Sequence, residues 1–405
     1  MAGGAAAGAL TAPVPDDGTS VRPVVTSVVR DDDAAIRALL RASVIPGAVR
    51  VAFTREPDYF AGDALAGGED HAVVARHGGR LVGLGRCSVY PLFRNGAPAR
   101  VAYLGELRLA PGTANGVRLL RDGYAALAES VGEVEACFTS ITNDNVRARS
   151  VLERGGRLGL PAYAPIASLV TLVAPVAPVA LVAPAAPLAP AAGFAMAAPV
   201  RSAHPPHHVA AGGADRRADV ADGLAFLARH APDRQLALQW DDDRLARLAR
   251  HGFTGDDLVI VRRGGAVVAA GGIWDQRPFR QVVVDGYAAA LQLARPAVNL
   301  WCRLTRRPAL PPPGSVLAQG ALLGATVSAP GDWRVLWPAL QACARARGIA
   351  WLTVARDARD PELPVLRALT RAREYHTTLY DVALGRRSPA AAWDSRLVRP
   401  EVGLL

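Results

Sequence analysis

Residues 71–85 read HAVVARHGGRLVGLG, and residues 258–271 read LVIVRRGGAVVAAG. Each stretch consists of a β-rich run, a Gly-Gly turn and a second β-rich run that ends in glycine. Gly78-Gly79 and Gly264-Gly265 can adopt the positive φ angles that tight hairpin turns require. Two hairpins of the same design, far apart in one chain, predict an internal repeat.

The repeat extends on both sides of the hairpins. Amphipathic helices are predicted upstream, at 33–42 and 220–231, and strands that run into Ala-Pro-Gly follow downstream, at 107–112 and 326–331. The later pairs are helices at 117–130 and 333–347, strands at 135–142 and 350–355, and helices at 145–154 and 361–371. The order in each half is helix, hairpin, strand, loop, helix, strand, helix, strand. This order predicts an α/β layered fold of two similar domains.

The composition narrows the class of protein. A chain of 405 residues predicts two to three domains at roughly 100–200 residues each. The net charge of +10 suggests nucleic-acid binding, but the chain has no lysine, and its arginines never form a block of five. The excess of Arg, Ala, Gly and Pro is typical of a GC-rich bacterial genome. We therefore expect no nucleic-acid partner.

Residues 158–200 carry no charged side chain and are long enough in principle to span a bilayer. Prolines recur there at mostly three-residue intervals, which a helix does not tolerate and polyproline II does. We therefore predict neither a membrane segment nor a membrane partner. The predicted parts are a disordered leader at 1–20, a domain at 21–173 with its last strand at 166–173, an Ala/Pro-rich linker at 174–211, a second domain at 212–385, and a tail at 386–405 that docks or stays loose.

Cysteine and histidine positions predict no metal site. The cysteines lie far apart without any CxxC pair, which favours reduced thiols in a cytoplasmic protein over disulfides or structural zinc. The histidines of the HPPHH run lie in the predicted linker without carboxylate or thiolate partners, so an incidental polar tract is expected. The residues are Cys87, Cys137, Cys302 and Cys343, and His204, His207 and His208.

Three stretches of the first half resemble the GNAT superfamily, the acyl-CoA-dependent N-acyltransferases: VVARHGGRLVGLG at 73–85, YLGELRLAPG at 103–112 and SITNDNVRARSVLERGG at 140–156. The resemblance covers about 21–173, and more weakly 215–384. It implies that each domain is a mixed, mostly antiparallel sheet flanked by helices. It also implies transfer of an acyl group, acetyl above all, from CoA to a small-molecule or peptide amine by direct attack.

The resemblance also implies a set of site residues. Glu106 would be the general base, backbone N–H groups near Leu107 to Leu109 would hold the oxyanion, and the following loop would bind the CoA pyrophosphate at a helix N-terminus. The implied cofactor-binding residues are Leu107, Leu109, Gly112, Thr113, Ala114, Asn115, Gly116, Val117, Arg118, Asn143 and Asn145.

Each of these roles has an alternative. Glu106 could be ion-paired with Arg108 or Arg118, and Thr113 or Asn115 could simply cap a helix. Asn143 or Asp144 could likewise cap the next helix. In the second half, Arg277, Arg280 and Gln281 either reach a shared cleft or lie on a solvated edge.

The sequence also departs from the family pattern. The loop lacks the Arg-x-x-Gly-x-Gly spacing, and Leu152 stands where a proton-donating tyrosine is usual. In the second half Asp332 stands where phosphate would bind, so we expect CoA in the first half only. These departures keep a second hypothesis open, a catalytically inactive GNAT-like protein that binds a ligand or partner.

Overall fold

The computed structural model describes residues 23–113, 115–176, 194–197, 214–305, 307–385 and 392–405. One twelve-stranded sheet runs through both halves, and a separate two-stranded ribbon joins β2 to β11. The strands are β1 (Val24–Ser27), β2 (Val49–Thr54), β3 (Glu69–His77), β4 (Arg80–Arg94), β5 (Ala97–Leu109), β6 (Ala136–Thr142), β7 (Tyr163–Pro175), β8 (Phe194–Ala197), β9 (Leu258–Arg263), β10 (Ala266–Trp274), β11 (Gln281–Tyr287), β12 (Gln319–Val327), β13 (Trp351–Asp357) and β14 (Arg373–Val382). The helices are α1 (Asp33–Ala42), α2 (Gly116–Val131), α3 (Val146–Leu152), α4 (Ala214–His230), α5 (Asp242–Ala249), α6 (Ala289–Leu304), α7 (Trp333–Ala346) and α8 (Leu363–Thr370).

The strand order of the large sheet is symmetric. It reads β1-β3-β4-β5-β6-β14-β7-β13-β12-β10-β9-β8, so the two predicted hairpins, β3–β4 and β9–β10, take equivalent places from either end. In the large sheet, the strand beside each hairpin pairs in parallel with the strand after the following helix, β5 with β6 and β12 with β13. In the second half, β11 and α6 lie in sequence between the hairpin and β12. The mixed, mostly antiparallel sheets and the internal repeat predicted from the sequence are therefore confirmed.

The two halves exchange their last strands at the centre of this sheet. β7, which contains the strand predicted at 166–173, pairs with β13 of the second half along seven residues. β14 of the second half lies between β6 and β7 and pairs with both. Each half thus completes its sheet with a strand of the other. The domain boundaries at 21–173 and 212–385 follow the repeat in sequence and stay a prediction.

The largest apolar cluster also spans both halves. Tyr103 and Phe138 of the first half, whose rings lie 5.0 Å apart, share it with Trp240, Phe253 and Trp274 of the second. Burial of each such side chain contributes roughly 1.5–3 kcal/mol. Within the part of the chain that the structure describes, no helix is long and apolar enough to cross a membrane.

The predicted leader and most of the predicted linker lie outside the described residues. Within the linker range, Phe194–Ala197 forms β8 and pairs with β9, so these four residues are strand rather than polyproline. The described part of the tail, residues 392–405, docks on the body, with Val398 and Leu404 buried in the shared core. Of the two outcomes left open for the tail, docking is the one found.

Strand exchange predicts that neither half is stable alone. Residues 1–176 expressed without 177–405 are expected to aggregate, because β7 then lacks β13 and β14 and exposes unpaired backbone. Co-expression of both fragments should restore a soluble complex that unfolds cooperatively, as should a full chain cut by protease at an engineered site in the linker. A soluble, cooperatively unfolding N-terminal fragment would contradict this account.

Candidate functional site

β5 and β6 separate halfway along their length. They pair in parallel over three residues each, beginning at Val101 and Ala136, and beyond these β6 keeps its pairing with β14 along its other edge. Thr139 bridges the start of the opening, where its Oγ1 donates a hydrogen bond to the carbonyl oxygen of Leu104 at 2.7 Å. From Leu104 to Leu109 the backbone of β5 therefore borders a gap that can accept an extended ligand as a further strand.

A β-bulge lies in β5 within this opening. The register between β4 and β5 shifts between Leu84 and Arg86, and Glu106 at this shift has φ +52°. Leu107, the next residue, is 38% exposed. The bulge is a strained backbone conformation for a residue other than glycine, and such positions are frequent at functional sites. It sends the Glu106 carboxylate to the sheet face that carries Tyr59.

Glu106 lies within a cluster of arginines. Its Oε1 accepts a hydrogen bond from Arg55 Nε at 2.5 Å, and its Oε2 accepts one from the Tyr59 hydroxyl at 3.2 Å. Burial would raise the pKa of Glu106, but the positive charges of Arg55, Arg86 and Arg280 outweigh it and lower this pKa to about 2. Glu106 is therefore a carboxylate throughout the neutral range.

The ion-pair partner of Glu106 is not one of the two arginines named from the sequence. Arg118 lies 3.8 Å from Asp122, and Arg108 donates to the carbonyl oxygen of Leu107. Arg55 is far from Glu106 along the chain and reaches it because β2 is held by the ribbon with β11. A sequence pattern gives no signal for such a contact.

The second half contributes directly to this cluster. Arg280 is half-buried near Glu106, and its Nη1 donates to the carbonyl oxygen of Gly403 at 2.8 Å. Gln281 Oε1 accepts hydrogen bonds from Thr54 Oγ1 and from the N–H of Glu56. Arg280 and Gln281 therefore face the first half, as a shared cleft would require, whereas Arg277 forms an ion pair with Asp275.

Arg86 is a further charged member of the cluster, and no sequence pattern pointed to it. It is buried on β4, and its Nη2 lies 2.8 Å from carboxylate oxygens of both Asp63 and Asp70. Those two aspartates balance its charge. The arginine is thereby fixed, and it adds a positive potential at Glu106.

The loop from β5 to α2 offers backbone donors. Gly112 has φ +76° and Asn115 has φ +56°, so the chain turns sharply before α2 begins at Gly116. Asn115 occupies the N-cap position but its side chain forms no capping hydrogen bond. The first N–H groups of a helix have no acceptor within the helix and carry the positive end of its dipole, so those of Gly116 and Val117 suit an anion.

The remaining loop residues have structural partners. Thr113 Oγ1 donates to the carbonyl oxygen of Ala110 at 2.6 Å, so Thr113 closes the turn and does not cap the helix. The N–H of Arg118 bonds to the carbonyl oxygen of Asn115. Ala114 lies outside the described residues.

The two asparagines after β6 bond to different parts of the structure. Asn145 caps α3, because its Oδ1 accepts a hydrogen bond from the N–H of Ala148 at 3.2 Å. Asn143 Oδ1 accepts one from Thr378 Oγ1 of the exchanged strand β14 at 2.9 Å. Of the alternatives for capping α3, Asn145 therefore replaces Asn143 and Asp144. Leu152 is buried.

The second half has an equivalent opening, and the tail fills it. β12 and β13 also pair in parallel over three residues, beginning at Gln319 and Trp351. Gly324 lies five residues after Gln319, as Glu106 does after Val101, and also has a positive φ, of +64°. Its N–H, however, donates to Oε1 of Glu401 from the tail at 3.0 Å.

A buried ion network closes the filled opening. Arg399 of the tail donates to Glu362 Oε1 at 2.5 Å, and Arg356 donates to Glu362 Oε2 at 2.9 Å. The cavity left between the tail and β12 measures about 10 Å³, room for about one water molecule. Asp332, expected to repel phosphate, instead accepts a hydrogen bond from the N–H of Ala329. The second opening is thus occupied by the chain itself.

The tail carries a carboxyl group that favours its neutral form. Burial raises the pKa of Glu401 to about 7, since Arg356 and Arg399 bond to Glu362 and only partly offset the loss of solvation. The protonated form therefore stabilises the docked tail. This contribution is complete below the ordinary pKa of 4.5 and is lost as the pH rises through about 7.

The substitution Glu401→Gln tests this linkage. It should make the free energy of unfolding less dependent on pH between about 5 and 8, because the amide stays neutral. Urea unfolding at both pH values measures the effect. Glu374→Gln is the control, since Arg367 lowers the pKa of Glu374 and that contribution does not change above pH 5. Equal pH dependence in the wild type and Glu401→Gln would contradict the assignment.

Comparison with known proteins supports the fold. No protein-family model and no curated protein sequence matches the chain. A solved structure of Saccharomyces cerevisiae N-myristoyltransferase with bound myristoyl-CoA matches with a TM-score of 0.52 and 10% identity, over 96% of this chain and 91% of that one. A tandem GNAT protein from the clavulanic acid biosynthesis pathway matches with a TM-score of 0.49 and 11% identity, over 91% of this chain and 100% of that one.

The chain has a tandem GNAT fold. The strand order, the two openings and the likeness to N-myristoyltransferase agree on this point. At about 10% identity the likeness shows the fold alone, and the chemistry of the chain has to be argued from its own residues.

Proposed function

We propose that this protein is an acyl-CoA-dependent N-acyltransferase whose first half binds the acyl-CoA. The observation that carries the proposal is the contrast between the two openings. The opening between β5 and β6 borders an uncapped helix N-terminus and the half-buried carboxylate of Glu106, whereas the equivalent opening between β12 and β13 is filled by the tail. Because the second opening is occupied by the tail, we assign the single acyl-CoA site to the first half.

In the proposed complex the pantetheine arm extends along β5, beside Leu107 and Leu109. The pyrophosphate lies at the start of α2, where Gly112, Gly116 and Val117 supply backbone donors and Arg118 adds positive charge. Asn143 and Asn145 lie on the opposite side of the opening, within reach of the pantetheine amides. Thr113 and Asn115 shape the loop.

The proposed reaction is direct acyl transfer. The acceptor nitrogen attacks the thioester carbon, the C–N bond forms, the C–S bond breaks and CoA leaves as the thiolate. A backbone N–H at Leu107 would stabilise the oxyanion. Glu106, with a pKa of about 2, is a weak base. We propose that the Glu106 carboxylate accepts hydrogen bonds from the N–H groups of the attacking amine. As the C–N bond forms, the proton that the amine nitrogen loses passes to water.

We propose a short acyl group, acetyl above all. The space that would hold it borders β5 where this strand parts from β6, beside Leu107 and Leu109. We propose a small-molecule or peptide amine as acceptor and a cytoplasmic location.

Calorimetric titration with acetyl-CoA tests the binding site. The wild type should bind one equivalent with micromolar or tighter affinity, and Gly116→Asp should lose at least about tenfold, because a carboxylate at the helix start repels the pyrophosphate. Gly116→Asn is the matched control, since it adds the same bulk without charge next to the movable Leu109 side chain. Absence of binding to acetyl-, propionyl- and longer acyl-CoA would favour the inactive, partner-binding alternative.

Glu106→Gln tests the carboxylate. We expect kcat to fall by about 10²–10⁴-fold with little change in acetyl-CoA affinity. Because the pKa of Glu106 is about 2, the rise of kcat/KM with pH near neutrality should reflect the acceptor amine and keep its midpoint in the variant. A midpoint that disappears in Glu106→Gln would show instead that Glu106 titrates near neutrality.

A further inference from the structure

Exposed large apolar side chains are concentrated in one part of the molecule. We call this part the arm; it consists of residues 44–54 and 281–317 and contains β2, β11 and α6. Of the twelve such exposed side chains among the described residues, the arm holds seven. These are Ile45, Phe53, Leu293, Leu300, Trp301, Leu304 and Val316. A concentration of exposed apolar side chains marks a surface that contacts a membrane or another protein.

The outer face of α6 is a continuous apolar stripe. Leu293, Ala297, Leu300 and Leu304 follow one another at the spacing that places residues on one side of a helix. Leu293 is 84% exposed and Leu304 is 76% exposed. The helix has 16 residues and is therefore about 24 Å long.

The inner face of α6 is already occupied by the arm itself. Asn299 exchanges two hydrogen bonds with the backbone of Leu310, at 2.8 and 3.0 Å, and Cys302 is the buried residue of the helix. Arg295 lies over the ring of Tyr287. Because these contacts fix the orientation of α6, its apolar stripe is held facing away from the body of the protein.

The charge of the arm selects the kind of surface that it would meet. Its charged residues are five arginines and one aspartate, Asp285, which pairs with Arg50 at 3.2 Å. No acidic residue occurs from 286 to 331. Arg307 lies over the ring of the half-exposed Trp301, 4.7 Å from its centroid. Two copies of such an arm repel each other, whereas anionic phospholipid headgroups attract it.

We propose that the arm lies on anionic phospholipid surfaces, with the apolar stripe of α6 at the level of the acyl-chain boundary. Leucines and tryptophan on one face, with arginines nearby and no acid on the helix, are the features of interfacial helices. The proposal departs from the sequence-based expectation of no membrane partner, which rested on the lack of a spanning segment and did not consider a helix that lies in the membrane surface. The proposal does not depend on the acyltransferase function.

Vesicle co-sedimentation of the full-length protein tests the proposal. Binding is expected to vesicles of equal parts phosphatidylglycerol and phosphatidylcholine, and to weaken at least about tenfold in pure phosphatidylcholine or in 0.5 M salt. The variant Leu293→Ser, Leu300→Ser, Leu304→Ser should lose this binding while unfolding normally, because all three side chains are exposed. Val24→Ser, which changes a 57% exposed valine outside the arm, should bind as the wild type does.

Trp301 gives a second readout. It is the exposed member of the seven tryptophans, so brominated lipid should quench part of the fluorescence in the wild type and much less in Trp301→Phe. Failure to bind anionic vesicles would overturn the proposal. So would a dimer in sedimentation analysis that the triple variant converts to monomer without any vesicle binding, which would assign the arm to contact between copies.

Discussion

The exchange of β7 and β14 is the constraint on which the rest of the structure depends. A strand at the centre of a sheet must have both of its edges bonded, and each of these two strands finds its partners in the other half. The halves are therefore fixed side by side in one sheet, which allows Arg280 of the second half to lie near Glu106 of the first. It also brings the tail to the second opening. Position and closure of the two sites follow from one topological feature.

The two openings are equivalent in backbone structure, but only the second is filled by the tail. Both openings arise because a parallel pair of strands ends after three residues, and both have a residue of positive φ at the same place. In the first, that residue is a glutamate held by Arg55. In the second it is Gly324, whose N–H bonds to Glu401 of the tail. The two halves thus share the backbone geometry of the opening, and the tail closes the opening of the second half.

Local sequence patterns were sufficient for the repeat, the hairpins and the position of the loop before α2, because each depends on turn residues and on periodicity within a few residues. They were not sufficient for the strand exchange, because the sequence of β7 fits the pattern of a last strand whether it pairs with β6 of its own half or with strands of the other half. The cluster around Glu106 was missed for a similar reason. Arg55, Tyr59 and Arg86 are brought together by tertiary packing, and in an arginine-rich chain none of them stands out. The roles of Glu106, Asn143 and Asn145 in chemistry stay predictions.

Hydrogen–deuterium exchange of the intact protein, with and without acetyl-CoA, tests the central claim most directly, because it reports both openings in one experiment. The account predicts added protection at residues 104–118 and 139–146, with no change at 322–334, where Glu401 already holds the backbone. Protection at 322–334 would show that the tail gives way to the co-substrate. That result would contradict the assignment of the acyl-CoA site to the first half.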